Sequence, residues 1–276
     1  MAGIDRLYLW KNSMNRKMQI TLLVSTVLLA SCAAGTGYYY FVYHPEKVRQ
    51  EALERQRQER QRKIASVKKY YQDTLSGGDI TALEKLALSI QSNVQKLDFL
   101  GFSLAQMKCT PTGCAVSFSL KGGRIFNVAD MTIDGKDYSP SFSATTLDYS
   151  NIPSGLNVHP WLTQWGTGKQ ADLPGCTSML SAINTWNSMS SAQYQIEMSG
   201  MPSSAAADQE LSVKDAINSW QLMSVKWKLQ ADKNISFTQL VSVLARQKIA
   251  QAFVIKSIEL KDKFTLSGEL VCKKGL

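Results

Sequence analysis

Three regimes of hydrophobic and polar positions follow one another along the chain. From Met18 to Tyr43 no residue is charged, and this 26-residue stretch contains ITLLVSTVLLASCAAGTGYYYFVY. At about 1.5 Å per helical residue the run exceeds the ~30 Å hydrocarbon core of a bilayer. Arg16 and Lys17 stop it at one end, and Tyr38, Tyr39, Tyr40 and Tyr43 form an aromatic belt at the other. The pattern predicts a short tail over 1–17 and one spanning helix over 18–43. A second reading competes here. Leu29-Ala30-Ser31-Cys32 has the form of a bacterial lipobox, with Met14 as an alternative start and Cys32 as the lipidated residue. The apolar run continues eleven residues past Cys32, where a lipoprotein turns polar, so the spanning helix is the reading adopted.

From Pro45 the pattern inverts. PEKVRQEALERQRQERQRKIASVKKYYQDTL, residues 45–75, is mostly polar, and no Gly interrupts it before Gly77. Glu51 with Arg55 and Glu59 with Lys63 are i,i+4 pairs in the favourable order, and Glu54 with Arg57 adds an i,i+3 pair. A charged helical arm over 45–76 is predicted. Apolar positions return at Ile64, Val67, Tyr71 and Leu75, one helical face that something must cover. A strict heptad fails over the first half of the arm. The arm therefore reads either as a solvated spacer or, over 64–75, as a coiled-coil seam for a partner or a second copy.

The third regime is short-period and globular. Asp79 can cap a helix whose Ile80, Leu83, Leu86, Ile90, Val94 and Leu97 share a face. LDFLGFSLAQMKC and CAVSFSL read as strands around Thr110-Pro111-Thr112-Gly113. The C-terminus repeats that order: Ser236 and Gln239 in a capping-box pattern, a helix through Leu244, then AFVIKSIEL and FTLSGELVC. YQIEM at 194–198 and WQLMSVKWKL at 220–229 are further strands, and Ser203–Ala207 reads as a flexible loop. The fold class expected is α+β: a first module over 79–150, a Trp- and Gly-rich connector over 151–192, and a second module over 193–276. One or both modules suit a ferredoxin-like, split βαβ arrangement. Trp161, Trp165 and Trp186 are read as core packing rather than a ligand platform.

Charge and composition exclude several classes. At 44% hydrophobic the chain is too apolar for disorder throughout, and 5 Cys are too few for a disulfide scaffold. Of the net +9, residues 1–75 contribute 13 Lys/Arg against 6 Asp/Glu, and residues 76–276 only 18 against 16. The basic excess belongs to the membrane-proximal segment, so nucleic acid is not an expected partner.

Setting Cys32 aside, Cys109, Cys114, Cys176 and Cys272 remain, and four cysteines allow three pairings. The local choice is Cys109–Cys114 across the Pro-Gly turn and Cys176–Cys272. A four-Cys zinc site lacks C-x2-C spacing, and free buried thiols are the other alternative. Oxidised pairs place the body outside the cytosol. The cation count opposes this, with four Lys/Arg before the span and seven in the twenty residues after it; the cysteines decide for an N-terminus inside. No phosphate-loop, nucleophile-elbow or zinc-protease motif occurs, and His44 and His159 lack an evident oriented partner. A non-enzyme without cofactor or metal is expected.

A short tail, one span, a charged helix and an α+β body resemble PilO-type inner-membrane proteins of type IV pilus machines. KCTPTGC followed by an aromatic strand, with the late Cys272, resembles the PilO-type pilin accessory proteins of type IVb systems. The resemblance implies a single-pass bacterial inner-membrane protein with a periplasmic body. It also implies a role in pilus assembly or secretion, through contacts with other inner-membrane components of the machine. The sequence lacks the sizeable cytoplasmic domain of the longer members. The alternative is an envelope lipoprotein or periplasmic ligand-binding module anchored at Cys32. Under the first reading Ile64, Val67, Tyr71 and Leu75 are the expected partner-binding residues.

Overall fold

The computed structural model describes residues 16–122, 129–190, 194–232 and 236–274; the tail expected at 1–17 lies outside these up to residue 15. The chain divides into two units, 1–61 and 62–276.

The described part of the first unit is helical, and its last helix runs on into the second. Helix α1, Arg16–Tyr38, continues through one π-helical stretch, Tyr39–Tyr43, into α2, His44–Leu75. Pro45 does not begin a helix here, as its position in the sequence suggested; it sits just inside one that is already running. Proline has no N–H to return to the preceding turn. The helix widens immediately before it, and the His44 N–H bonds to the Tyr39 carbonyl five residues back. Helix α1 is long and apolar enough to cross a membrane, and none of its most apolar window is buried within the chain. Leu23 and Val27 on one side of the helix and Leu29 on the opposite side are all more than 60% exposed.

The second unit is a three-layer α+β body. Among the described residues its main sheet has eight strands in the order β5-β6-β2-β1-β9-β10-β8-β7. These are β1 Phe102–Thr110, β2 Gly113–Leu120, β5 Ser141–Phe142, β6 Thr146–Ile152, β7 Ile196–Met198, β8 Leu222–Asp232, β9 Phe253–Leu260 and β10 Lys263–Lys273. A separate hairpin pairs β3, Met131–Ile133, with β4, Lys136–Tyr138. The two helix-and-hairpin units read from the sequence are thus parts of one sheet. They join where Met107, Lys108 and Cys109 of β1 pair with Leu260, Glu259 and Ile258 of β9. Their topologies also differ. β8 and β9 both run antiparallel to β10, so they are parallel to each other with β10 between them; the chain connects them through helix α7, Phe237–Ala245. In the β1–β2 half β2 pairs antiparallel with β1 across a hairpin and with β6 across a longer connection, and no described helix links two of its strands.

Beyond the three-pair junction the sheet halves are linked by the connector after α2. Gly78 exchanges both backbone hydrogen bonds with Ile255, at 2.9 and 2.8 Å. A Cβ at Gly77 would stand 2.6 Å from the Ile255 carbonyl oxygen, and one at Gly78 2.4 Å from Leu156. Only glycine permits this approach. Asp79 then caps α3, Ile80–Phe99, by accepting from the Ala82 N–H at 2.8 Å. The helix runs on through Leu97-Asp98-Phe99, which the apolar pattern had joined to the strand.

Alternate residues of the central strands feed two cores. One face presents Phe253, Ile255, Leu266 and Leu270 to α3, α7 and α5, Cys176–Met189. The other presents Leu222, Val254 and Val271 to the end of α2, to α4, Pro160–Gly166, and to the segment around α6, Ala207–Ser212. The segment 151–192 is therefore no connector: it contributes α4 to one layer and α5 to the other. Ser203–Ala207 is ordered too, with Ser203 bridged to Ser224 and Ala206 buried.

Candidate functional site

The predicted partner seam is buried inside the protein's own body. Val67, Tyr71 and Leu75 are all 0% exposed, and Ile64 packs at the margin of the same cluster. Their cover comes from the same chain: Trp161, Leu162 and Trp165 of α4, with Val213, Trp220 and Leu222. Tyr71 stacks on Trp165 with ring centroids 4.5 Å apart and planes 13° from parallel. The spacing identified a face to be covered, and this is a correction of what covers it. The pattern is the same whether the apolar partner lies in another chain or 90 residues further along this one.

At the centre of that cluster is a polar contact that no sequence pattern marked. Glu210 is 1% exposed, and its Oε1 accepts from the Tyr71 hydroxyl, from Ser219 Oγ at 2.9 Å and from the Gln221 N–H at 2.9 Å. The Trp220 N–H donates in turn to Tyr71 Oη at 3.0 Å. Burial, and then the Glu210 carboxylate, raises the Tyr71 pKa, so the hydroxyl remains a donor. Glu210 lies in a short polar helix with no hydrophobic periodicity to mark it. The arrangement anchors α2 to the body and offers no substrate an approach.

His159 is a capping residue. Its Nδ1 accepts from the Trp161 N–H at 3.3 Å at the start of α4. It is 2% exposed, and burial lowers its pKa to about 4, opposed more weakly by the Asp79 carboxylate and the Phe253 backbone. Among the described residues no three His, Cys, Asp or Glu side chains are gathered as a metal site.

Both expected disulfides are present. Cys109 and Cys114 face each other across the β1–β2 hairpin with Cα atoms 4.0 Å apart. Cys176 and Cys272, 96 residues apart in sequence, bring the first residue of α5 to the end of β10 with Cα atoms at 4.9 Å. Gly175 pairs with Lys273 beside that bond, so the start of α5 is fixed twice. Cys32 is free and exposed on α1. Ser236 precedes α7 without the predicted side-chain cap; its hydroxyl meets Thr238 at 2.7 Å instead.

A concave surface is open on the body. Between α5 and α7 lies a groove of about 1000 Å³, walled by Ser181, Thr185 and Met189 on one side and Leu240 and Val243 on the other. Trp186 forms part of its lining, held by donation from its Nε1 to the Tyr194 carbonyl at 2.6 Å. The Trp-rich segment thus divides its labour: Trp161 and Trp165 pack against the α2 stripe, whereas Trp186 borders open space. A readable signal preceded the groove, because no residue from Leu173 to Ile196 is charged.

Compared with protein-family models, curated proteins and solved structures, the chain matches none.

Proposed function

We propose that the chain is a non-enzymatic, single-pass component of a bacterial inner-membrane assembly machine of the type IVb pilus kind, with its body in the periplasm. The observation that carries the reading is an apolar helix with no cover among the described residues, joined through a charged helix to a body holding two disulfides. An uncovered helix that is apolar all round belongs in lipid. Disulfides favour an oxidising compartment. The order β9-β10-β8-β7, with a helix linking the parallel strands β8 and β9, supports a ferredoxin-like reading of the C-terminal half. The β1–β2 half lacks that crossover and is not assigned to the same class. Contacts with other membrane components, rather than chemistry, are the role that such a body suits.

Mild detergent extraction followed by affinity purification tests the reading. Other inner-membrane pilus components should co-purify, and a reporter active only outside the cytosol should work when fused after residue 276. A cytosol-only reporter working at that position would overturn the topology. A mass shift sensitive to a lipoprotein signal-peptidase inhibitor would replace the spanning helix by lipidation at Cys32.

A further inference from the structure

The groove between α5 and α7 is independent of the membrane reading, and its lining has a definite chemistry. Helix α5 carries no charged residue over Cys176–Met189, although much of its surface faces solvent. A surface helix of a monomeric protein normally sets charge on its outer face. Depletion of charge together with aromatic, Met and Arg residues is instead the composition of an interface core. Met189 and Val243, on opposite rims, are 83% and 46% exposed. Among the described residues, the charged side chains lining the groove are Arg246 and Lys248, where α7 ends, and no carboxylate lines it. Neither cation forms an ion pair with a described residue.

We propose that this groove docks an amphipathic helix of another protein, apolar along one face and carrying carboxylates where it meets Arg246 and Lys248. The described lining of the groove comes from α5, α7 and the residues that follow them and includes no strand residue, so an extended peptide meets no ladder to join within it, and helix-in-groove packing is the mode available. Size agrees. One helical turn ~10 Å across and ~5.4 Å in pitch fills roughly 420 Å³, so the groove of about 1000 Å³ takes a little over two turns. Charge selects a different protein rather than a second copy. The exposed charged helix described in this chain, 46–62, carries six Lys/Arg against four Glu, the same sign as the groove. Complementary charge at such a rim sets specificity and makes binding salt-dependent. The Cys176–Cys272 bond fixes the start of α5 to the sheet, so this wall is preformed.

The test uses the full chain in phosphatidylcholine nanodiscs with methyl-labelled methionine. The probes are two 16-residue peptides with the same leucine stripe, one with Glu and the other with Lys at every polar position. The Glu peptide should shift the Met189 methyl signal saturably and bind at least tenfold more tightly than the Lys peptide. Arg246→Glu with Lys248→Glu should reverse that order. Ser181→Trp, at an exposed position in the groove, should abolish the shift while the buried Met131 and Met179 signals stay in place and report an intact fold. Equal binding of both peptides would overturn the proposal, as would a shift that survives Ser181→Trp. So would self-association of the chain that Ser181→Trp removes, since the groove would then belong to a second copy.

Discussion

Two apolar stretches lie on the same run of helix, Ile20–Phe41 in α1 and its π-helical end, and Ile64–Leu75 at the end of α2. Within the chain they have opposite surroundings. The first is exposed on every side, and the second is sealed under Trp161, Trp165 and Trp220. The difference was written in how the apolar residues are arranged. In α1 they go all the way round, which no single protein face can cover. In α2 they recur every three or four residues, which a single face covers completely. All-round hydrophobicity therefore points to a solvent, whereas a stripe points to a neighbour without naming it.

The largest effect should come from the uncovered stretch. Leu23→Arg with Leu28→Arg places two cations in the middle of α1, at roughly 3 kcal/mol each on an insertion scale. Carbonate extraction should release the variant from the membrane fraction, while its body keeps the denaturation midpoint of the parent. A body that unfolds with this variant would mean that α1 has a cover within the protein, and the comparison would fail. Val67→Asp should do the reverse. It buries a carboxylate at a position with no exposed surface, one helical turn from Tyr71, whose buried partner Glu210 is also acidic, and costs about 3–5 kcal/mol. Chemical denaturation should show the body destabilised with membrane extraction unchanged. If the variant instead accumulated with an unaltered midpoint and lost only a partner, the seam would be intermolecular after all.

Much of the body could be read from the sequence because its elements obey local rules. Asp79 caps α3, β1 and β2 form the hairpin read around Thr110–Gly113, and the cysteine pairs were near in a hairpin or left over from one. What could not be read depends on distant partners. The β1–β9 pairing that merges two modules into one sheet involves three residue pairs about 150 positions apart. Tyr71 looked like any apolar stripe residue, and nothing around Glu210 distinguishes a buried acceptor from a solvated acid. The groove is a similar case: the charge-free run showed that α5 is unusual, but only the packing of α7 opposite shows that the space between them is open.

The cover over the α2 stripe should have its own pH dependence, because His159 caps α4, which carries Trp161 and Trp165. Its folded pKa, about 4, lies below the ordinary value of 6.5. Between those values the unfolded chain binds more protons than the folded one, so stability is fully present above about pH 6.5 and falls as pH drops toward 4. At ~1.36 kcal/mol per pH unit the loss is at most roughly 3 kcal/mol. His159→Asn keeps a capping acceptor but cannot titrate there, and should flatten this part of the stability–pH curve. An unchanged curve would place the pH sensitivity elsewhere.

The smallest effect is expected between the two stretches, where α2 is exposed from Lys47 to Gln61. Arg55 and Arg57 stand one turn from Glu51 and Glu54, and their side chains lie in solvent. Ion pairs of this kind contribute ~0–1 kcal/mol because water screens them and both side chains lose freedom in forming them. Arg55→Ala with Arg57→Ala also exchanges two good helix formers for the best one, which offsets part of even that. The double variant should therefore match the parent in denaturation midpoint and in resistance to carbonate extraction. If it were destabilised as much as Val67→Asp, this part of α2 would need a cover of its own, and the helix would have three apolar or charged faces with partners rather than one in lipid and one in the body.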